Sequence, residues 1–148
     1  MNRICTWARF KEKETQKTFY VFNTHFDHKG VKARKESAIL LLKKISEIVK
    51  RNEPLILTGD FNLTPEEKPL VLIRQKMKDS RQISETIPQG PMGTFNNFDI
   101  TSKLENRIDY IFVNRFVDIK TYSAITDSKE GRYPSDHLPV LVELKFNK

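Results

Sequence analysis

The sequence has a single cysteine, Cys5, which excludes an intrachain disulfide and any cysteine-rich metal knot. Taken alone, Cys5 reads as a small buried hydrophobe on the first strand. No apolar run approaches the roughly 18 residues needed to span a bilayer. Met1 is not followed by the basic segment and apolar core of a secretory signal. The sequence opens abruptly on a strand, so an upstream segment is expected to be missing and localisation stays unknown. Internal repeats, low-complexity tracts and linkers are absent as well, and 148 residues suit one domain or a large piece of one. The apolar share is 38%, with ten Phe residues, which is enough for a packed core. Acidic residues are outnumbered, giving a formal charge of +7. That balance suits a polyanionic partner such as nucleic acid or a phosphorylated substrate, although Lys on a helix and in turns also serves solubility.

Residues 4–10 and 18–26 read as strands joined by a charged turn, and are expected to pair as a hairpin. From 31 to 51 the period becomes helical, with Ala38, Ile39, Leu41, Leu42, Ile45, Ile48 and Val49 on one face. Asn52-Glu53-Pro54 breaks the helix. Residues 54–58 suit a buried strand, and Pro65 opens a short helix towards Gln75. The stretch 77–98 is punctuated by Gly and Pro and has no strong period. Strands are expected at 108–113, 116–126 and 138–146, with a polar loop over 127–135. Alternating strands and helices predict an α/β (α+β) layered fold.

Four polar islands interrupt or end apolar strands: Asn23-Thr24-His25-Phe26, Gly59-Asp60-Phe61-Asn62, Arg107-Ile108-Asp109-Tyr110 and Ser135-Asp136-His137. Strand ends are where side chains from distant parts of a layered fold converge. Carboxylate oxygens suit Mg²⁺ or Mn²⁺, and imidazoles hold phosphoryl oxygens or move protons near neutral pH. This inventory fits in-line attack of water on phosphorus. Each island has a plainer reading: His25 as a structural histidine, Gly59 to Asn62 as a turn, Asp136-His137 as a solvated loop end. Asp109 resists one, because a carboxylate inside an apolar strand needs a partner.

As an ordered set, Thr24-His25-Phe26, Leu57-Thr58-Gly59-Asp60-Phe61-Asn62, Arg107-Ile108-Asp109-Tyr110-Ile111 and Tyr133-Pro134-Ser135-Asp136-His137-Leu138-Pro139-Val140 resemble the endonuclease/exonuclease/phosphatase superfamily. The resemblance spans residues 4–146, and Gly93-Thr94-Phe95-Asn96 resembles the substrate-side loop of that group. It implies a DNase I-like sandwich and a divalent-metal-dependent phosphoester hydrolase, a phosphodiesterase, phosphatase or nuclease. Asp60 would orient or deprotonate the attacking water, and Asn62 would hold that water or a phosphate oxygen. Asp136 would bind the metal, Mg²⁺ or Mn²⁺. His137 would contact the phosphoryl oxygen, with Asp109 fixing its tautomer. His25 would contact the phosphate or protonate the leaving oxygen. Asn96 would face the substrate, and Arg107 would reach it or form a structural ion pair.

The superfamily pattern normally opens with an Asn-bearing strand and then a strand ending in Gln-Glu, whose Glu is the principal metal ligand. Nothing before His25 matches either, and Glu12 and Glu14 lie in the charged turn. The resemblance therefore implies that residues 1–148 are the C-terminal portion of one domain of about 250 residues, lacking the N-terminal strands and monomeric when complete. Without those strands an edge and an apolar face would be exposed, metal affinity would fall, and the chain alone would have weak activity or none. The alternative is a non-catalytic remnant. A basic nucleic-acid-binding domain is a third reading, disfavoured because the acidic islands would repel phosphate without a cation. Substrate identity stays open among nucleic acid, sugar phosphate and lipid head group. The Trp-Cys-Asp-Arg signature of inositol phosphatases is absent, and Phe95, Phe98 and Tyr133 serve either base stacking or loop packing.

Overall fold

The computed structural model describes residues 2–50 and 52–147. β1 (Cys5–Lys11) and β2 (Thr18–His25) form an antiparallel hairpin, as their alternating β-branched and aromatic residues predict. α1 (Val31–Ile48) then crosses over, so that β3 (Leu55–Asp60) lies parallel to β2. α2 (Lys68–Arg74), the two-residue β4 (Lys78–Asp79) and the single-turn α3 (Ser80–Ile83) follow. β5 (Asp109–Val113) inserts antiparallel between β3 and β4, giving the order β1-β2-β3-β5-β4. β6 (Val117–Ala124) and β7 (Val140–Phe146) form a separate antiparallel pair.

Period-two alternation sorts the central strands into two cores. Tyr20, Phe22, Leu55, Leu57, Tyr110 and Phe112 turn towards the helices and pack with Ala38, Leu41, Ile45, Leu70 and Ile73. The intervening Val21, Ile56, Ile111 and Val113 turn the other way and meet Val117, Ile119, Val142 and Leu144 of the second sheet. The result is three layers: helices, five-stranded sheet, two-stranded sheet. A lone pair of strands is marginal in water, and burial of about 1.5–3 kcal/mol per fully covered aliphatic side chain holds it in place.

Three sequence-based expectations are corrected here. Cys5 is exposed, not buried, because β1 is an edge strand and all its residues but Ala8 are exposed. The buried stripe of α1 is Ala38, Leu41 and Ile45, while Ile39 is 44% exposed, being turned about 100° round the helix from Ala38. The stretch 77–98 contains β4 and α3, both too short to show a period. Arg51, the expected end of α1, lies outside the described residues. β1 is the edge strand of the five-stranded sheet, and on it Trp7 and Phe10 are about half exposed.

Candidate active site

β2, β3 and β5 end in register. Across them run three successive rows of side chains on the face towards the second sheet: Val21–Ile56–Val113, Asn23–Thr58–Ile111 and His25–Asp60–Asp109. The face thus grades from apolar to ionisable over five residues of each strand. In the middle row Asn23 Nδ2 donates to Thr58 Oγ1 at 2.8 Å. In the last, His25 Nε2 lies 3.1 Å from Asp60 Oδ2. Gly59 permits this approach: a Cβ there would lie 2.0 Å from the Thr24 carbonyl oxygen, and its φ is +153°. Gly59 is therefore a strand residue, not a turn former.

The chain past Asp60 is fixed from both sides. Asn62 adopts φ +50°, which asparagine tolerates, and its backbone N–H donates to Asp60 Oδ1 at 2.8 Å. Asn62 Nδ2 donates to Asp60 Oδ2 and to the Phe26 carbonyl, each at 3.1 Å. Beneath, fully buried Phe61 packs edge-on against Phe26, Tyr110 and Phe112, with centroids 4.9–5.7 Å away. The strand ends therefore rest on a rigid aromatic floor.

His137 reaches the row from the loop before β7. Its Nδ1 is 2.8 Å from Asp109 Oδ2. An ionised carboxylate only accepts, so Nδ1 carries the proton and Nε2 is left for other partners. Thr94 Oγ1 donates to the same Asp109 oxygen at 2.6 Å and accepts from the backbone N–H of Ile108 and Asp109 at 3.1 Å. Phe95 packs edge-on to the imidazole at 5.2 Å. Burial alone would push the His137 pKa down, but the Asp109 hydrogen bond and the charges of Asp109, Asp60 and Asp136 outweigh it and hold it above the ordinary value. Burial, reinforced by Asp60, raises the Asp109 pKa despite the bonds from Thr94 and His137. The two shifts have different origins: carboxylate partners raise His137 against burial, whereas burial itself raises Asp109.

Of the residues singled out by sequence, His25, Asp60, Asn62, Asp109 and His137 converge. Three others behave differently. Arg107 does not join the cluster: it is 3% exposed, its Nη atoms donate to Asp79 at 2.5 and 3.1 Å, and it lies over Tyr110. The structural ion pair is thus what forms. Asn96 is 1% exposed and bonded within the protein through both ends of its carboxamide. Its Nδ2 donates to the Ser135 carbonyl at 3.1 Å, and its Oδ1 accepts from Phe98 N–H at 2.7 Å. These bonds tie it to the Ser135–His137 loop, which it helps to shape. Asp136 lies outside the tightest ionisable group, its carboxylate being 3.4 Å from Ser135 Oγ. Sequence reading missed the roles of Thr94 and Asp79. Asp79 had no visible signal, since its partner is distant in the chain.

Asp60, Asp109 and His137 each offer a ligand atom, and these atoms lie within 4.8 Å of one another. Asp109 Oδ2 is committed to two donors, so this group alone is a poor cage. A hard cation, however, commonly takes only one or two protein carboxylates and completes its shell with water and substrate phosphate. Asp60 and Asp136 are donors of the right kind for that arrangement.

The fold is a helix–sheet–sheet sandwich whose carboxylates, imidazoles and carboxamide meet at the strand ends. Residues 3–137 match the Endonuclease/Exonuclease/phosphatase family, and the chain belongs to it. It is 42% identical to an endonuclease/exonuclease/phosphatase family protein of Bacteroides thetaiotaomicron, with a TM-score of 0.90 over 98% of this chain and 57% of that one. It is also 42% identical to a mannosyl-6-phosphatase of Bacteroides thetaiotaomicron, with a TM-score of 0.88 over 97% of this chain and 57% of that one. RNA exonuclease NGL1 of Saccharomyces cerevisiae is 21% identical over 179 residues, covering 98% of this chain and 49% of the yeast protein. The chain spans about half the length of these relatives. Among the described residues no helix is long and apolar enough to cross a membrane.

Proposed function

We propose that the protein hydrolyses a phosphate ester by in-line attack of water, with Mg²⁺ or Mn²⁺ bound by Asp136, and that residues 1–148 form the C-terminal portion of its domain. The observation that carries this reading is the His25–Asp60–Asp109 row closed by His137, with Nδ1 of His137 held at 2.8 Å. When bound, the cation supplies positive charge against the non-bridging phosphoryl oxygens. Asp60 accepts the proton of the attacking water, and Asn62 fixes where that water sits. His137 presents Nε2–H, when protonated, to a phosphoryl oxygen as charge builds there. Asp109 acts through His137, as a positioning residue. His25, exposed beside Asp60, protonates the leaving oxygen or holds the phosphate.

A sugar phosphate is the favoured substrate class, because the likeness to the mannosyl-6-phosphatase, at 42% identity, far exceeds that to the yeast RNA exonuclease, at 21%. The test is a substrate panel on a chain extended to the relatives' length, with Mg²⁺, Mn²⁺ or EDTA. Hexose 6-phosphates, RNA, single-stranded DNA, inositol phosphates and phospholipids are compared. Metal-dependent release of phosphate from hexose 6-phosphates is the expected result. Turnover of none of them, or turnover that EDTA leaves unchanged, overturns the reading.

A further inference from the structure

Thr94 belongs to the loop that the motif sets on the substrate side, yet its exposure is 0%. Its hydroxyl is held on three sides. The backbone N–H groups of Ile108 and Asp109 donate to Oγ1 at 3.1 Å, and Oγ1 stands 2.6 Å from Asp109 Oδ2. A hydroxyl has two acceptor lone pairs and one proton. With both lone pairs taken, the proton has one direction left, towards Asp109 Oδ2. That oxygen also receives His137 Nδ1–H at 2.8 Å.

The backbone of Thr94 grips the other partner. Its carbonyl accepts from the N–H of Leu138, one residue past His137, at 2.7 Å, and its own N–H donates to the Asn106 carbonyl at 2.9 Å. Phe95, next in the chain, forms a backbone bridge with His137 and sets its ring edge-on to the imidazole. Thr94 therefore holds Asp109 by its side chain and the His137 segment by its main chain. Gly93 lets the chain come in this close: a Cβ there would lie 2.3 Å from the Leu104 carbonyl.

We propose that Thr94 is a positioning residue that sets the Asp109–His137 contact, by occupying the two amides that would otherwise draw the Asp109 carboxylate off the imidazole. A methyl group in place of the hydroxyl leaves the Ile108 and Asp109 N–H groups without that acceptor. Donors left unsatisfied against a buried side chain are costly. The Asp109 carboxylate, with Oδ2 at 2.6 Å from the Oγ1 position, is the acceptor at hand. Turned towards those amides, it releases Nδ1 of His137. The proposal rests on the hydrolase reading only for its kinetic consequence, because the contact itself is read without turnover.

¹⁵N NMR of the His137 ring nitrogens, at a pH where the ring is neutral, reads which nitrogen carries the proton. The wild-type chain is expected to hold it on Nδ1. Thr94→Ser, which keeps the hydroxyl, is expected to match it. Thr94→Val, nearly the same shape without the hydroxyl, is expected to move the population towards the Nε2–H form. In a chain extended to the relatives' length, Thr94→Val is expected to lower kcat about ten- to hundredfold with KM little changed, the scale on which loss of an orienting partner acts. Thr94→Ser is expected to restore it. An unchanged ring in Thr94→Val overturns the proposal. So does a rise in KM with kcat intact, which would make Thr94 a substrate contact. The wild type also gives a measurement that needs no variant to fold: a hydroxyl proton locked on Asp109 exchanges slowly and shows its own NMR signal, and one lost to fast exchange overturns the proposal. If the extended wild type turns over no ester, the hydrolase reading falls, and the ring nitrogens still decide the role of Thr94.

Discussion

Asp109 Oδ2 and His137 Nδ1 meet at 2.8 Å, across 28 residues of sequence. The contact fixes the imidazole tautomer, and Thr94 in turn fixes Asp109. In a chain extended to the relatives' length, Asp109→Asn should lower kcat about a hundredfold or more, on the scale of a lost acid–base contribution, and leave KM within a few-fold. Steady-state kinetics check this. A rise in KM with kcat unchanged would remove Asp109 from its positioning role.

The same contact sets a pH dependence. His137 is held above its ordinary pKa by Asp109 and the neighbouring carboxylates, in spite of burial. A raised folded-state value means that the interaction stabilises the fold fully below the unfolded pKa. That stabilisation is lost as pH rises through the folded value, so the window opens above about pH 6.5. Asp109, also raised, acts with the same sign at lower pH. In an NMR titration of the imidazole, Asp109→Asn should lower the His137 pKa. An unchanged midpoint would contradict the pairing.

Arg107 and Asp79 are both almost wholly buried and doubly bonded. Arg107→Ala leaves the Asp79 carboxylate stranded and should destabilise the protein by about 3–5 kcal/mol. Urea unfolding measures it. A loss below about 1 kcal/mol would mean that solvent reaches Asp79 in the variant.

Gly59→Ala places a methyl group against the Thr24 carbonyl, at 2.0 Å before relaxation. The strands must part there or the backbone must strain, at about 1–3 kcal/mol or more. The variant should show a lower Tm and perturbed NMR signals at His25 and Asp60. An unchanged Tm would show that β2 and β3 can separate freely.

The strands were legible because their alternation is regular and their ends carry polar residues that the apolar pattern does not explain. Val21 to His25 shows this, as does Ile56 to Asp60. α1 was legible from its period, though the pattern overstated its buried face at Ile39. What stayed hidden depends on contacts between distant segments. Asp79 and Arg107 lie 28 positions apart, and neither residue's surroundings in sequence announce the other. β4 and α3 are too brief for any periodicity to register. Asn96 was marked by motif, but motif does not tell which groups of a side chain already have partners within the protein. Cys5 failed for a related reason: burial on an edge strand depends on a neighbour that the local sequence does not reveal.

The graded face of β2, β3 and β5 also bears on how this protein can change. Its polar last row occupies ground over which the apolar packing between the sheets could simply continue. Two carboxylates held opposite each other there, at Asp60 and Asp109, oppose folding more than they aid it. Apolar substitutions at those two positions should therefore raise thermal stability while removing chemistry. Selection for a sturdier scaffold and selection for an active one pull this row in opposite directions.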